Sequence, residues 1–381
     1  MLRSIAAALA IALLVQDSAT SDSEKSKLHD ELAASALDTG EQLIKLKAWD
    51  EARAFLELVR AKSDARAEAL DKLLTKTDKQ TSGLKWDTKA SDLVKAFGSE
   101  RAKKFFAFAK EWKEKDAESA RWTEAEAEIL DDLLDYVKAY ARLTQIRAHY
   151  ELPKTRLDWK LSVPAVWHAK YKLLNPSDAR EIEGKAGFTR EGQATATNSV
   201  SSARESISDL VESIGQAPFY RNYLLNPRLI ATGLGQVKGA RLASVVDVET
   251  GLSEQKTGLT SLAVPKRNAS SVPVTGYDDY TPIFGGKTMR QLGYPISLIF
   301  FDPTIRPKDV TGRLSLNMKD VEVYVSTPES PFGASITPSH KNTILLVPKT
   351  PLQPNAEYKV TIRYREKGEE QVVEWTFRTS H

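Results

Sequence analysis

The hydrophobic pattern of this chain changes period part-way along, and that change limits the fold more than any motif does. From about Glu24 to Tyr150, apolar residues recur every three or four positions in a stretch rich in Ala, Leu, Lys and Glu and almost free of proline. That spacing is the mark of amphipathic helices. From about residue 291 onward the pattern alternates instead, in ISLIFF, VEVYV, NTILLVP, YKVTIRY and VVEWTFRT. Such segments read as strands with one apolar face. Val360, Ile362 and Tyr364 share one parity, as do Val373, Trp375 and Phe377, which suits a two-sheet sandwich. Helical and strand-rich regions in one chain of 381 residues predict a multidomain α+β protein of two or three domains.

The helical region, 21–122, opens with amphipathic stretches carrying Leu32, Ala36, Leu43, Phe55, Leu56 and Val59, with breaks expected at Asp38-Thr39-Gly40 and at Lys47-Ala48-Trp49-Asp50. WDEARAFLELV resembles half of a tetratricopeptide-like hairpin, but no second copy follows at a fixed period, so the region is either such a hairpin or a plain bundle. Leu93, Val94, Phe97, Phe105, Phe106, Phe108 and Trp112 form an aromatic stripe read as core. Thr123 with Glu126 has capping-box spacing and predicts a helix start there, running toward Pro153. Beyond Pro153, prolines and glycine-containing loops mark a new domain, 123–256 in all. Residues 257–290, rich in Ser, Thr, Gly and Pro, read as an extended linker before a β-sandwich at 291–381.

Fifty-four Lys+Arg against 51 Asp+Glu leave a net charge of +3 with no concentrated basic stripe, which argues against nucleic acid as a partner. Arg3 followed by IAAALAIALLV has the build of a signal peptide over 1–20, with Ser18 or Ala19 serving the exit; retention as an anchor is the alternative. No later run reaches the length of a membrane-spanning helix. The expected setting is extracytoplasmic: secreted, periplasmic or at the cell surface. The chain has no cysteine, so its domains must hold together by apolar burial.

TQIRAHYELPKTRLDWKLSVPAVWHAKYKLLNP resembles the opening of a CAP domain, the superfamily of cysteine-rich secretory, antigen 5 and pathogenesis-related 1 proteins. Arg147, Leu152-Pro153, Leu157-Asp158 and Ala165-Val166-Trp167-His168-Ala169 follow the order of its N-x-x-R helix, L-P-x-x-x-L-D connector and A-x-x-H-A helix. GKAGFTREGQ is similar to the loop of the G-E-N motif, and QAPFYRNYLLNPRLIATGLG to the S-P-x-H-R-x-x-L-L-x-P…G-x-G stretch. The resemblance covers roughly 136–250 and implies a central α-β-α sandwich. LVPKTPLQPNAEYKVTIRY and VVEWTFRTS resemble the last strands of bacterial immunoglobulin-like domains, which implies an all-β immunoglobulin-like sandwich, with the Tyr358 hydroxyl reaching backbone groups at a corner.

Many CAP proteins line a cleft with two His and two Glu able to hold a divalent metal. Carried over by position, the first His falls in Ser177-Asp178-Ala179-Arg180, which offers none. The first Glu becomes Glu191, with Gln193 in place of the Asn; the second falls near Ile214, with Glu212 a shifted substitute; the second His is Tyr220. The resemblance therefore implies a cavity without its metal set, and no metal or cofactor is expected. Its polar cleft candidates are Glu191, Gln193, Asn198, Tyr220, Arg221 and His168. Two of these have a structural alternative: Arg221 pinning a loop through a carboxylate such as Glu191, and His168 satisfied in the core by a backbone carbonyl.

No residue is assigned a catalytic role. G-x-S-x-G and S-x-x-K contexts are missing, and no two histidines share one helical face. Asp131, Asp132 and Asp135 read as solvated, Asp278-Asp279 lack the oxygen-rich loop pattern of a calcium site, and Phe284-Gly285-Gly286-Lys287 reads as a turn. The functional expectation is an exported, non-enzymatic binding or envelope-associated protein taking a peptide, glycan, lipid headgroup or envelope protein. The alternatives are a secreted hydrolase using the CAP cleft, and an interaction scaffold.

Overall fold

The computed structural model describes residues 2–60, 66–77, 87–178, 180–218, 220–255, 257–277, 288–302, 304–331 and 342–381, with side chains from residue 22 onward. The Asp278-Asp279 pair, the Phe284–Lys287 turn, His340 and the side chains of the leader-like run lie outside these. The protein is α+β in content, and among the described residues no helix is long and apolar enough to cross a membrane. It divides into two compact units that interleave in sequence. The first is Met1–Gln145, Lys154–Glu212 and Ile230–Leu252; the second is Ile146–Pro153, Ser213–Leu229 and Ser253–His381. This division differs from domains cut at residues 122, 256 and 290.

In the first unit, α1 (Leu2–Lys45) passes straight through Asp38-Thr39-Gly40, where a break is expected. Gly40 is a packing residue: a Cβ there would press on the Leu56 side chain at 2.5 Å. The chain turns only at 46–48, with Lys47 in the left-handed region (φ 59°), and enters α2 (Trp49–Arg60). Helices α3 (Ala67–Thr77) and α4 (Thr88–Trp112) follow, the latter capped by Asp87, whose carboxylate accepts the Ala90 N–H at 2.9 Å. Phe97, Phe105, Phe108 and Trp112 are buried, with Phe97 edge-on to Phe55 at 5.0 Å. Helix α5 (Ala117–Asp131) starts earlier than the Thr123 cap expected from the sequence. Asp116 caps it through the Ser119 N–H, and the buried Thr123 hydroxyl donates to the Ser119 carbonyl inside the helix.

Helix α6 (Leu133–His149) follows a break at Asp132. The strand β1 (Arg156–Leu157) leads into α7 (Trp159–Leu174), α8 (Arg190–Thr197) and β2 (Ser199–Ser202). Helices α9 (Ile207–Gln216) and α10 (Arg221–Leu224) precede β3 (Ala231–Thr232), which pairs in parallel with β1. Strands β4 (Leu234–Lys238) and β5 (Leu242–Asp247) complete an antiparallel sheet of order β2-β5-β4, against which α7 packs. Helix and sheet approach so closely that a Cβ on Gly235 would collide with the Ala165 backbone.

The second unit holds two sheets. Strands β6 (Ser261–Val264) and β7 (Ala269–Val272), from the stretch expected to be linker, provide an edge strand to each. Strands β8 (Ile296–Phe300), β9 (Lys308–Leu316), β10 (Lys319–Val321), β11 (Val323–Ser326), β12 (Thr343–Pro348), β13 (Glu357–Glu366) and β14 (Glu369–Thr379) give the orders β10-β9-β13-β14-β7 and β11-β12-β8-β6. The alternation read from the sequence fills the shared core: Val360, Ile362, Tyr364, Trp375 and Phe377 are buried with Leu298, Phe300 and Ile344. The Tyr358 hydroxyl accepts the Gln353 N–H at 2.7 Å. Segments 146–153 and 213–229 pack here too, placing Leu152 and Leu225 against Val264 and Ile299.

Candidate functional site

The six cleft candidates fall into different parts of the structure. Tyr220 and Arg221 belong to the second unit, and the other four to the first. Arg221 is fully buried, and its Nη2 donates to the Pro295 carbonyl at 2.9 Å and to the Ser297 hydroxyl. It therefore pins β8 through a carbonyl and a hydroxyl, not a loop through Glu191. Tyr220 packs beside Met289, Leu292, Leu345 and Val347. Arg147 is equally buried and bonds the carbonyls of Pro153, Leu224 and Asn226. Burial without an acidic partner lowers its pKa to about 10.

In the first unit His168 is a core imidazole, but its partner is a carboxylate and not a carbonyl. Its Nδ1 lies 3.0 Å from Glu181 Oε1, and both side chains are inaccessible to solvent (1% and 0% exposed). The second oxygen, Oε2, accepts the Thr189 N–H at 2.9 Å, and the Glu181 carbonyl accepts Gln193 Nε2 at 3.1 Å. Thr189 caps α8 by accepting the Gly192 N–H. A buried ion-pair-like contact thus fixes the loop that joins α7 to α8. The same loop is tied down again by Asp178, which accepts from the Tyr171 hydroxyl at 2.6 Å and Lys185 Nζ at 2.7 Å. Those two hydrogen bonds, Lys185 first, hold the Asp178 carboxyl below its usual range.

The loop so fixed walls a cavity of about 160 Å³ between α5 and α7, with Trp167, Phe188, Thr189 and Glu128 among its lining residues. At its edge the Arg121 guanidinium lies 4.1 Å from the centre of the Trp167 ring and pairs with Glu191 Oε1 at 3.0 Å. Glu191 is thus held by an arginine of α5. Trp122 meets Trp167 edge-on at 5.0 Å. Lys170 pairs with Glu124 at 3.1 Å. The Glu128 carboxylate is half-buried and makes no hydrogen bond among the described residues; burial pushes its pKa up, and Lys170 offsets this only in part.

Asn198 organises a turn: its Nδ2 donates to Thr250 Oγ1 at 3.2 Å, and its carbonyl accepts the Val248 N–H at 2.9 Å. The neighbouring Asp247 is buried, which raises its carboxyl despite hydrogen bonds from Thr250 and Glu249. Glu212, the shifted substitute for the second cavity acid, forms a two-point pair with Arg142, and Ile214 at the expected position is buried. Asp132 and Asp135, expected in solvent, both accept from Nε2 of the fully buried Gln236, at 3.0 and 3.1 Å, and pair with Lys238. Burial would lower the Lys238 pKa, but the two carboxylates together raise it. Among the described residues no three His, Cys, Asp or Glu are gathered so as to hold a metal ion.

No family model matches the chain, and no curated protein does. Among solved structures it is similar to the surface layer protein SbsC, domains 1–6, at 10% identity, over 92% of this chain and 46% of that chain, with a TM-score of 0.18. The chain spans less than half the length of that structure, and so low a score carries no argument about fold or function.

Sequence reasoning found His168 and Glu191 but missed the groups that complete them: Glu181, Arg121, Trp167 and Glu128. Trp167 adjoins His168 in the quoted helix motif and so was within reach. Arg121 fell in the separate helical region, and Glu128, although inside 123–256, lies outside the stretch that carries the resemblance, so nothing marked either. A larger open groove of about 500 Å³ lies beside Glu57, Lys154 and Arg156, but its cations are tied up in pairs with Glu57, Asp71 and Asp158.

Proposed function

We propose that this protein is an exported, non-enzymatic binding protein with a CAP-like central part, an immunoglobulin-like C-terminal sandwich, and its ligand site at the Trp167–Phe188 pocket. The chain order of the motifs, a three-stranded antiparallel sheet covered by α7, and a two-sheet sandwich after it support the architectural part. The leader-like N-terminal run supports export. The functional part rests on one observation: the acid and imidazole most suited to catalysis, Glu181 and His168, are spent in the core on holding a loop. What faces the pocket is a set of aromatic and charged side chains on a loop and helices that the core contacts fix.

The test is a thermal-shift screen of the full chain against short peptides, oligosaccharides and lipid headgroups. At least one class should raise the melting temperature of the native protein and leave that of Phe188→Asp unmoved, with the ligand recovered intact by mass spectrometry. Recovery of a cleaved ligand would establish the hydrolase reading instead, and a flat screen would remove the pocket from consideration.

A scaffold role is the second reading. It is favoured by Leu174 and Ile182, 54% and 49% exposed in the α7–α8 loop region.

A further inference from the structure

The pocket already contains a cation. Arg121 reaches from α5 to lie over the Trp167 ring, well inside the roughly 6 Å at which a ring face attracts positive charge. Trp167 is only 5% exposed. The arginine is held weakly, since it and Glu191 are 39% and 41% exposed, and exposed pairs contribute little. Behind them, Glu128 lines the cavity with neither hydrogen bond nor salt bridge among the described residues; Lys170 lines the cavity too, but its ammonium group is paired with Glu124. With Arg121 swung away, the Trp167 face would be left beside the unpaired Glu128 carboxylate, with Glu191 released from its arginine at the rim. The cavity's 160 Å³ is small beside the roughly 300–1,000 Å³ of sites that enclose a whole organic ligand, so it suits a head group.

We propose that this pocket binds an organic cation of the alkylammonium class, which stacks on Trp167 in place of Arg121 and sets its charge beside Glu128, with Glu191 at the rim. Arg121 is then an internal competitor that keeps the site closed until such a group arrives. The proposal rests on the reading of this pocket as the ligand site and adds the chemistry of what it takes. The Trp112 ring does not offer the same set: Lys115, 4.9 Å from it, is tied to Glu111.

The experiment uses the full chain with ¹⁵N-labelled tryptophan, the Trp167 indole signal being assigned by its loss in Trp167→Phe. Choline and its uncharged isostere 3,3-dimethylbutan-1-ol are titrated at constant ionic strength. Choline should shift the Trp167 signal and the isostere should not. Arg121→Ala should tighten choline binding about tenfold, and Glu128→Gln should weaken it about tenfold. Equal response to both compounds, or a weaker response to choline in Arg121→Ala, would overturn the cation assignment while leaving the pocket as a ligand site. If neither compound moves Trp167 in the native protein or in Arg121→Ala, the cation assignment fails. The wider screen then decides whether the pocket binds anything.

Discussion

Removing Glu181 should be among the most damaging single changes in the first unit, and its size can be worked from the contacts. The carboxylate is inaccessible to solvent and meets two groups, the His168 ring at 3.0 Å and the Thr189 N–H at 2.9 Å. In Glu181→Ala both lose their partner in a place where water does not replace it. Each of the two orphans costs about 1–3 kcal/mol, and the cavity left by the removed side chain adds to that. The expected loss is therefore about 3–5 kcal/mol. Glu181→Gln keeps the shape, and its amide can satisfy both neighbours only if the imidazole accepts where the carboxylate did, so it should cost about 1–2 kcal/mol. Urea unfolding of the full chain, followed by tryptophan fluorescence, reads the difference, and exchange of the Thr189 amide reads the local effect. A double-mutant cycle with His168→Ala should give a coupling above about 1 kcal/mol. A loss below about 0.5 kcal/mol for Glu181→Ala, or simple additivity in the cycle, would refute the claim that this pair fixes the loop.

Four further outcomes are expected. Gly235→Ala should prevent the first unit from folding, because the new Cβ strikes the Ala165 backbone, which cannot step aside; loss of soluble expression, or of helical circular dichroism, checks it. Gly40→Ala should lie within about 1 kcal/mol of the parent, since its Cβ meets only the movable end of Leu56 and the helix gains about 1 kcal/mol of propensity; a thermal melt distinguishes the two glycines. Glu128→Gln should stabilise the protein at neutral pH. The folded pKa of Glu128 lies above its ordinary 4.5, so ionisation opposes folding as pH rises through that folded value, and the advantage of Gln should vanish in melts taken below pH 4.5. Arg147→Met should cost at least about 3 kcal/mol, because the carbonyls of Pro153, Leu224 and Asn226 all lose their donor; chemical denaturation monitored on the second unit checks it.

Periodicity made much of the secondary structure legible. The strands around Val360 and Trp375 show their buried face directly in the alternation of residues, because a side chain two positions on must return to the same side. Helix ends were harder. Thr123 and Glu126 have the spacing of a cap, yet Asp116 does that work seven residues earlier; a cap depends on where the backbone leaves the helix, which side-chain types alone do not state. Gly40 looked like a turn because the sequence does not show that Leu56 presses against it. The site was half visible for a similar reason. His168 and Glu191 stand out by type, whereas Glu181 sits in an unremarked loop, and Arg121 matters only because folding brings α5 across Trp167. Asp132 and Asp135 looked solvated until a glutamine from a strand a hundred residues later was found between them.

Five crossings of the chain separate the two units, at residues 145/146, 153/154, 212/213, 229/230 and 252/253. Neither unit is therefore a contiguous stretch that a single cut can release. A gene truncated after the last helix-and-sheet residue would leave two short pieces of the β-rich unit stranded on the wrong fragment, among them Arg147 and Arg221. During synthesis those pieces leave the ribosome well before β8 to β14 exist to receive them. The last third of the polypeptide must arrive before the middle can be finished.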